Sequence, residues 1–158
     1  MADLSASHDD FYAYRPATVE CVVQAAEKQR VPANVLLGLA TVEGGKNGQT
    51  VRNTNGTYDI SHFQINTSTF KSELEPYGVK LADLQWRGCY NAELAAYLLA
   101  RHLNDPKGQH KDFWTRAASY HSKTPRFNKI YRTKLIAAST GWANWLRHNY
   151  SAVQITYK

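Results

Sequence analysis

The sequence predicts a mainly α-helical, single-domain protein with a loop-rich or small β-hairpin segment in its middle. Three observations carry that prediction. Apolar residues recur at helical spacing along most of the chain, a stretch rich in Gly, Asn and Thr interrupts them after residue 43, and no repeat, linker or low-complexity run divides the chain. A length of 158 residues fits one domain comfortably. With 43% hydrophobic and 20% charged residues, the composition supports a packed core and excludes a disordered chain.

Residues 1–15 form a polar lead, expected to be flexible, ahead of a domain spanning 16–158. The lead (MADLSASHDDFYAYR) has neither a basic start nor an apolar core, so it does not read as a signal peptide. The protein is therefore expected either to stay in the cytoplasm or to be exported by a signal that this sequence does not contain. The first helix is expected from Pro16, a residue suited to a first helical turn, with Val19, Val22, Val23 and Ala26 on one buried face. A second runs from Pro32 to Glu43. Its Val35, Leu36, Leu39, Ala40 and Val42 make it apolar nearly all round, the pattern of a central helix. Gly44-Gly45 should stop and cap it.

The following segment, GGKNGQTVRNTNGTYD, reads as a long ordered loop or a small hairpin, and ISHFQIN (60–66) as extended chain or a turn. Helical patterns return at 67–75, 81–86, 91–103, 112–121 and 125–149, broken most clearly at Pro76-Tyr77-Gly78 and Asn104-Asp105-Pro106. In the last of them, Phe127, Ile130, Leu135, Trp142 and Leu146 are expected to pack inward while the cations stay solvated.

A net charge of +6 and a pI near 9.3 point to an anionic partner. Nucleic acid, an acidic membrane surface and an acidic cell wall all qualify, so charge alone does not choose. No apolar run approaches the roughly 18 residues of a membrane span, and no membrane insertion is expected. Segment RFNKIYRTKLIAASTGWANWLRH is basic and aromatic, but carries no known nucleic-acid signature, and no nucleic-acid partner is expected. The six histidines show no metal-binding spacing, so neither a metal nor a cofactor is expected. Cys21 and Cys89 each flank an apolar stretch. They read equally well as two buried thiols or as a disulfide closing a loop of nearly 70 residues.

Glu43 is the anomaly, an acid at the end of the most apolar helix and next to two glycines. A carboxylate there faces the negative end of the helix dipole, and partial burial would raise its pKa further. A raised pKa is what a general acid needs to hold its proton near neutral pH. For an arbitrary glutamate, a surface position beside a flexible glycine is the more common explanation.

The ordered pieces around Glu43 carry more information. LLGLATVEGG is followed by NTNGTYD, with Asn53, Gly56 and Asp59, then by SHFQIN at 61–66, and far downstream by SYHSKTPRFNKIY with Tyr120 and Tyr131. Across residues 17–135 this order resembles the goose-lysozyme-like lytic transglycosylases, the SLT domain family, and in particular small members that accompany type IV secretion, conjugation and type III secretion systems. The resemblance implies a lysozyme-like helical domain whose loop-rich middle forms one side of a cleft. It also implies peptidoglycan as substrate and Glu43 as the catalytic acid.

Gln64, Asn66, Tyr120, His62, Phe63 and Tyr131 then become candidate substrate-binding residues, with Asp59, Gly44 and Asn53 structural beside the site. Gln64 and Asn66 are equally suited to holding the turn through side-chain-to-backbone bonds. Small secretion-associated relatives carry cysteines at matching places, so the resemblance tips Cys21 and Cys89 towards a disulfide in an exported, periplasmic protein. Components of a secretion or conjugation apparatus are further expected partners, and a monomer is the expected state. The sequence departs from the family pattern at three places. Gly44 stands where most members have Ser, Ser61-His62-Phe63 replace Gly-Leu-Met, and His121-Ser122-Lys123 replace Asn-Ala-Gly.

Glycoside cleavage usually needs two carboxylates, about 5–5.5 Å apart for retention or 6.5–9.5 Å for inversion. Asp59 is the only second acid near the motif, and an Asp in such a turn more often bonds backbone amides. The resemblance implies instead a one-acid reaction ending in an internal 1,6-anhydro ring. A lysozyme-type hydrolase assisted by Asp59, and a peptidoglycan-binding subunit without activity, are the rival outcomes.

Overall fold

A computed structural model describes residues 13–157, so most of the 1–15 lead lies outside the described residues. The architecture is mainly helical with a small antiparallel sheet in the middle of the chain. The described residues fall into two compact units, one of residues up to 25 together with 43–95, the other of 26–42 together with 96 onward.

Helix α1 spans Val19–Gln29 and begins three residues later than the Pro16 start expected from sequence. The cause is Thr18, whose hydroxyl accepts from the Cys21 N–H at 3.1 Å. This is the geometry of an N-cap, and it satisfies a donor that the first turn leaves open. In the first unit Cys21 is joined to Cys89, their Cα atoms 5.7 Å apart, and both residues are buried. Strand β1 (Thr50–Arg52) pairs with β2 (Tyr58–Ile60), and β2 with β3 (Ile65–Asn66), all antiparallel. The loop-or-hairpin segment is thus a hairpin, and 60–66 is both strand and turn.

A helical turn, Thr67–Thr69, runs into a π-helical stretch at Phe70–Leu74 that buries Phe70 and Leu74. Helix α3 (Leu81–Trp86) follows a left-handed Gly78. Helix α4 (Gly88–Leu103) starts three residues earlier than its apolar spacing indicates and so contains Cys89. Gly88 donates its N–H to the Arg15 carbonyl (2.9 Å), and a Cβ there would lie 2.1 Å from the Ala17 nitrogen. Only glycine lets the chain ahead of α1 approach this closely.

The second unit is built round α2 (Ala33–Glu43), in which every residue from Ala33 to Leu39 is buried. A helix apolar nearly all round belongs inside, and this one is buried as far as Leu39, whereas Ala40 and Val42 are only half-buried and Thr41 is exposed. Its Gly38 faces Ser139 of helix α6 (Pro125–Asn149), where a Cβ would come within 2.4 Å of the serine hydroxyl oxygen. Buried Asn34 donates to the carbonyls of Ser139 (3.0 Å) and Thr156 (2.6 Å) and accepts from the Thr156 N–H (2.9 Å). The C-terminal tail is thereby fastened to the start of α2.

Helix α5 covers Phe113–Ala118, shorter than the 112–121 pattern, because residues 119–122 close into a turn on Thr115, Arg116, Ala117 and Ala118. In α6 the expected inward face is rotated. Leu135 and Leu146 are buried, but Phe127 and Ile130 stand about half exposed, and the buried stripe is Asn128, Tyr131, Leu135, Ser139, Ala143 and Leu146. Asn128 decides the phase. Its amide donates to the carbonyls of Thr115 (3.0 Å) and Ser122 (2.9 Å), so a polar residue turns inward where an apolar pattern alone would leave it out.

Candidate active site

Glu43 ends α2, half-buried, and the chain leaves the helix through Gly44 at φ 65°. This left-handed residue caps the helix, and a residue with a Cβ would destabilise it by roughly 1 kcal/mol. Gly44 therefore has a backbone reason for being there. Gly45 follows in close contact with the turn after β2. A Cβ on it would lie 1.9 Å from the Ser61 carbonyl oxygen and 2.7 Å from Gln64 Nε2. Two residues after Glu43, the backbone is thus seated on the Ser61–Gln64 turn.

That turn is held from several directions. Ser61 (φ 62°) and Gln64 (φ 50°) both adopt left-handed conformations that non-glycine residues rarely take. The Ser61 N–H donates to the Gln49 carbonyl at 2.8 Å, and the Ser61 carbonyl accepts from the Gln64 backbone (3.1 Å) and side-chain amide (2.9 Å). Buried Asn91 of α4 accepts from the Phe63 N–H (3.1 Å) and donates to the carbonyls of Leu84 (3.0 Å) and Ile60 (3.4 Å). The loop between Gly45 and β1 is tied in turn to α3. Gly48 exchanges hydrogen bonds with Gln85, both at 2.8 Å, and its missing side chain admits the Trp86 ring. Such strain persists only where the surroundings over-determine it, and it concentrates at functional sites.

The candidate residues take different positions around this turn. Gln64 spends one side-chain N–H on Ser61, which leaves its carbonyl oxygen and second N–H able to meet a ligand. Asn66 donates to Thr57 (2.9 Å) and Asp59 (3.0 Å) and accepts from the Ser68 N–H (2.9 Å), so its polar atoms are engaged within the protein. The Asp59 carboxylate is the acceptor of that bond, a side-chain partner in place of the backbone amides expected. Asn53 donates to the Thr57 hydroxyl (3.1 Å), which in turn donates to Asn55 (2.6 Å). Thr57 is the hub of the hairpin end.

Phe63 is fully buried and its ring fills the core of the first unit. The imidazole of His62 accepts from the Ala17 N–H at Nε2 (3.0 Å) and bonds to the Gly45 carbonyl. Burial pushes its pKa below the usual histidine value, opposed by the Gly45 bond. Neutral His62 is therefore a clamp joining the chain ahead of α1 to the residue two past Glu43. Tyr120 and Tyr131 belong to the second unit. Tyr120 sits half-buried in the turn after α5, and Tyr131, buried on α6, stacks against the His121 ring at 4.5 Å and nearly parallel.

Three contributors escaped the sequence reading. Gly45 was visible only as half of a breaker pair, Thr57 as one more turn residue, and Asn91 as an isolated amide in an apolar helix, which was the one usable signal. A search of curated protein sequences returns no significant match. The family described as Transglycosylase SLT domain matches residues 20–135. With most of its length matched, and the Glu43-bearing helix, the hairpin and the Ser61–Gln64 turn all inside that stretch, the chain belongs to the SLT transglycosylase domain family.

Proposed function

We propose that the protein is a peptidoglycan lytic transglycosylase with Glu43 as its only catalytic carboxyl group. Family membership implies lytic transglycosylase activity on peptidoglycan in general. The observation that carries the finer reading is the state of the two acids. Glu43 ends α2 two residues before Gly45 meets the Ser61–Gln64 turn, whereas Oδ1 of Asp59 accepts from the Asn66 amide across the β2–β3 pair. The bond from Asn66 to Asp59 Oδ1 supports a structural role for Asp59 in the hairpin over that of a second catalytic acid.

In the proposed reaction, protonated Glu43 donates its proton to the glycosidic oxygen between MurNAc and GlcNAc as the C1–O bond breaks. The MurNAc N-acetyl carbonyl supports the cation at C1. Glu43, now a carboxylate, takes the proton from the sugar's 6-hydroxyl, and O6 closes on C1 to give the 1,6-anhydro end. The acid returns to its starting state, and no metal or cofactor takes part. The Gln64 carbonyl is suited to accept from a sugar N-acetamido or hydroxyl group. The serine-to-glycine change at 44 leaves this acid chemistry untouched.

The buried Cys21–Cys89 disulfide supports an oxidising compartment such as the periplasm. Among the described residues no helix is long and apolar enough to cross a membrane. Local opening of the wall for a secretion, conjugation or pilus apparatus is the biological role that we attach to this activity. Digestion of purified sacculi followed by mass spectrometry of the released fragments tests the reading. Anhydro-muramic ends are expected. Reducing ends would assign a hydrolase, and no release a binding subunit. Glu43→Gln should abolish release with the fold intact, and wild-type release by that variant refutes the assignment of Glu43.

A further inference from the structure

The second unit carries a pocket of about 230 Å³ with an unusual charge balance. Its wall includes Lys107, Lys111, Arg116 and Lys123 beside a single carboxylate, Asp105, with His102 in the lining. The Lys123 ammonium reaches Asp105 at 3.6 Å, so one of the four cations is compensated. Among the described residues, Lys107 and Lys111 have no carboxylate within ion-pair distance. Like charges brought into one concave site repel, and low-dielectric walls raise the positive potential inside it.

The frame that holds these cations is rigid. Arg116 donates to the carbonyls of Leu103 (2.6 Å) and Lys111 (3.1 Å), which fixes its guanidinium in the wall and ties the Lys111 backbone to it. The Asp105 side chain accepts from the Lys107 N–H (3.0 Å) and caps the 3-10 turn Pro106–Gly108. This carboxylate therefore helps to shape the turn that presents Lys107. The residues of the pocket lie apart from the Glu43 turn in sequence, and the proposed reaction uses none of them.

We propose that this pocket binds a phosphate group. One feature favours phosphate over a carboxylate: several converging cations match an ion carrying up to two charges. The Lys ammonium groups and Arg116 can then act as point-charge and hydrogen-bonding partners for its oxygens. Free phosphate and the phosphate ester of a larger molecule share this chemistry.

His102 provides the readout. It is half-buried, and burial together with Lys123 lowers its pKa to about 4 against the opposing attraction of Asp105, with Arg101 lowering it further. An anion seated among the same cations cancels part of their field, so it moves the His102 ring resonances and raises that pKa. The test is an NMR titration of the His102 side chain in the whole protein with inorganic phosphate, at constant ionic strength in chloride. A saturable shift is expected, together with a rise in the His102 pKa and at least roughly tenfold weaker binding in Lys107→Ala/Lys111→Ala. Both lysines are exposed, so the double variant should fold. A parallel titration with sn-glycerol 3-phosphate separates the sources: tighter binding than inorganic phosphate assigns an ester, equal or weaker binding the free ion. The proposal is overturned if no saturable shift appears with either compound, if acetate produces an equal shift, or if the double variant binds phosphate as well as the wild type.

Discussion

Gly45→Ala is the most demanding test of the site geometry. The added methyl would sit 1.9 Å from the Ser61 carbonyl oxygen and 2.7 Å from Gln64 Nε2. Such contacts do not occur below 3.0 Å, so one side must retreat by more than about 1 Å. Ser61 has little freedom to do so, with its N–H on Gln49, its carbonyl on both amides of Gln64 and its side chain buried. Overpacking of this kind costs about 1–3 kcal/mol, and losing the Gln64 side-chain bond adds about 1 kcal/mol. A total of about 2–4 kcal/mol corresponds to a Tm lower by roughly 5–15 °C in a chain of this size. A shift of about 1 Å beside Glu43 should also slow sacculus clearing by roughly 100-fold. Gly56→Ala is the control, because Gly56 is left-handed (φ 85°) but has open space where its Cβ would go. It should lose only the backbone preference, about 1 kcal/mol, and keep its activity. If Gly45→Ala unfolds at the same urea concentration as the wild type and clears sacculi at the same rate, the packing of Glu43's neighbour on the Ser61 turn is not what positions the acid.

Two further predictions follow from buried features. Replacing Cys21 and Cys89 by serine opens a link between residues 68 apart, and the chain-entropy relation puts the loss near 4 kcal/mol; urea midpoints with and without reductant measure it, and a loss below about 1 kcal/mol contradicts the relation for this protein. His62 and His102 both have folded-state pKa values below the unfolded value of 6.5, in each case mainly through burial. The unfolded chain therefore binds protons first, so their contribution to stability is present above pH 6.5 and is lost as pH falls towards the folded pKa. For His102, whose folded value is about 4, the slope should approach at most about 1.4 kcal/mol per pH unit between the two pKa values. His102→Gln should flatten urea stability against pH in that range, and an unchanged slope would mean that the histidine is not buried in its neutral form.

Much of the helical framework was legible because it follows from local rules. The apolar run in α2 has no polar face to expose, so it had to be central, and Gly44 had to end it because only glycine takes φ 65° without strain. Helices α3 and α6 match their patterns because Pro, Gly and polar breaks bracket them. The errors occur where one polar side chain outweighs a pattern. Thr18 moved the start of α1 by capping it, and Asn128 rotated the buried face of α6, leaving Phe127 and Ile130 outside. A hydrogen bond from one buried amide to two carbonyls can set a helix's phase, and apolar periodicity does not record it.

The site divides in the same way. By itself the sequence determined which acid to watch and the order of elements around it, because Glu43, its glycines and the turn motifs are neighbours in the chain or lie in a recognisable series. It also held the two cysteines, although their pairing depended on a likeness and then on the fold. Only the tertiary structure decided that Gly45 rests on Ser61, that His62 bridges Ala17 and Gly45, that Asp59 accepts from Asn66 and that Phe63 belongs to the core. These are contacts between segments 7 to 45 residues apart. Local preference specifies how each segment bends, but which donor meets which acceptor across such distances is settled only when the whole core has packed.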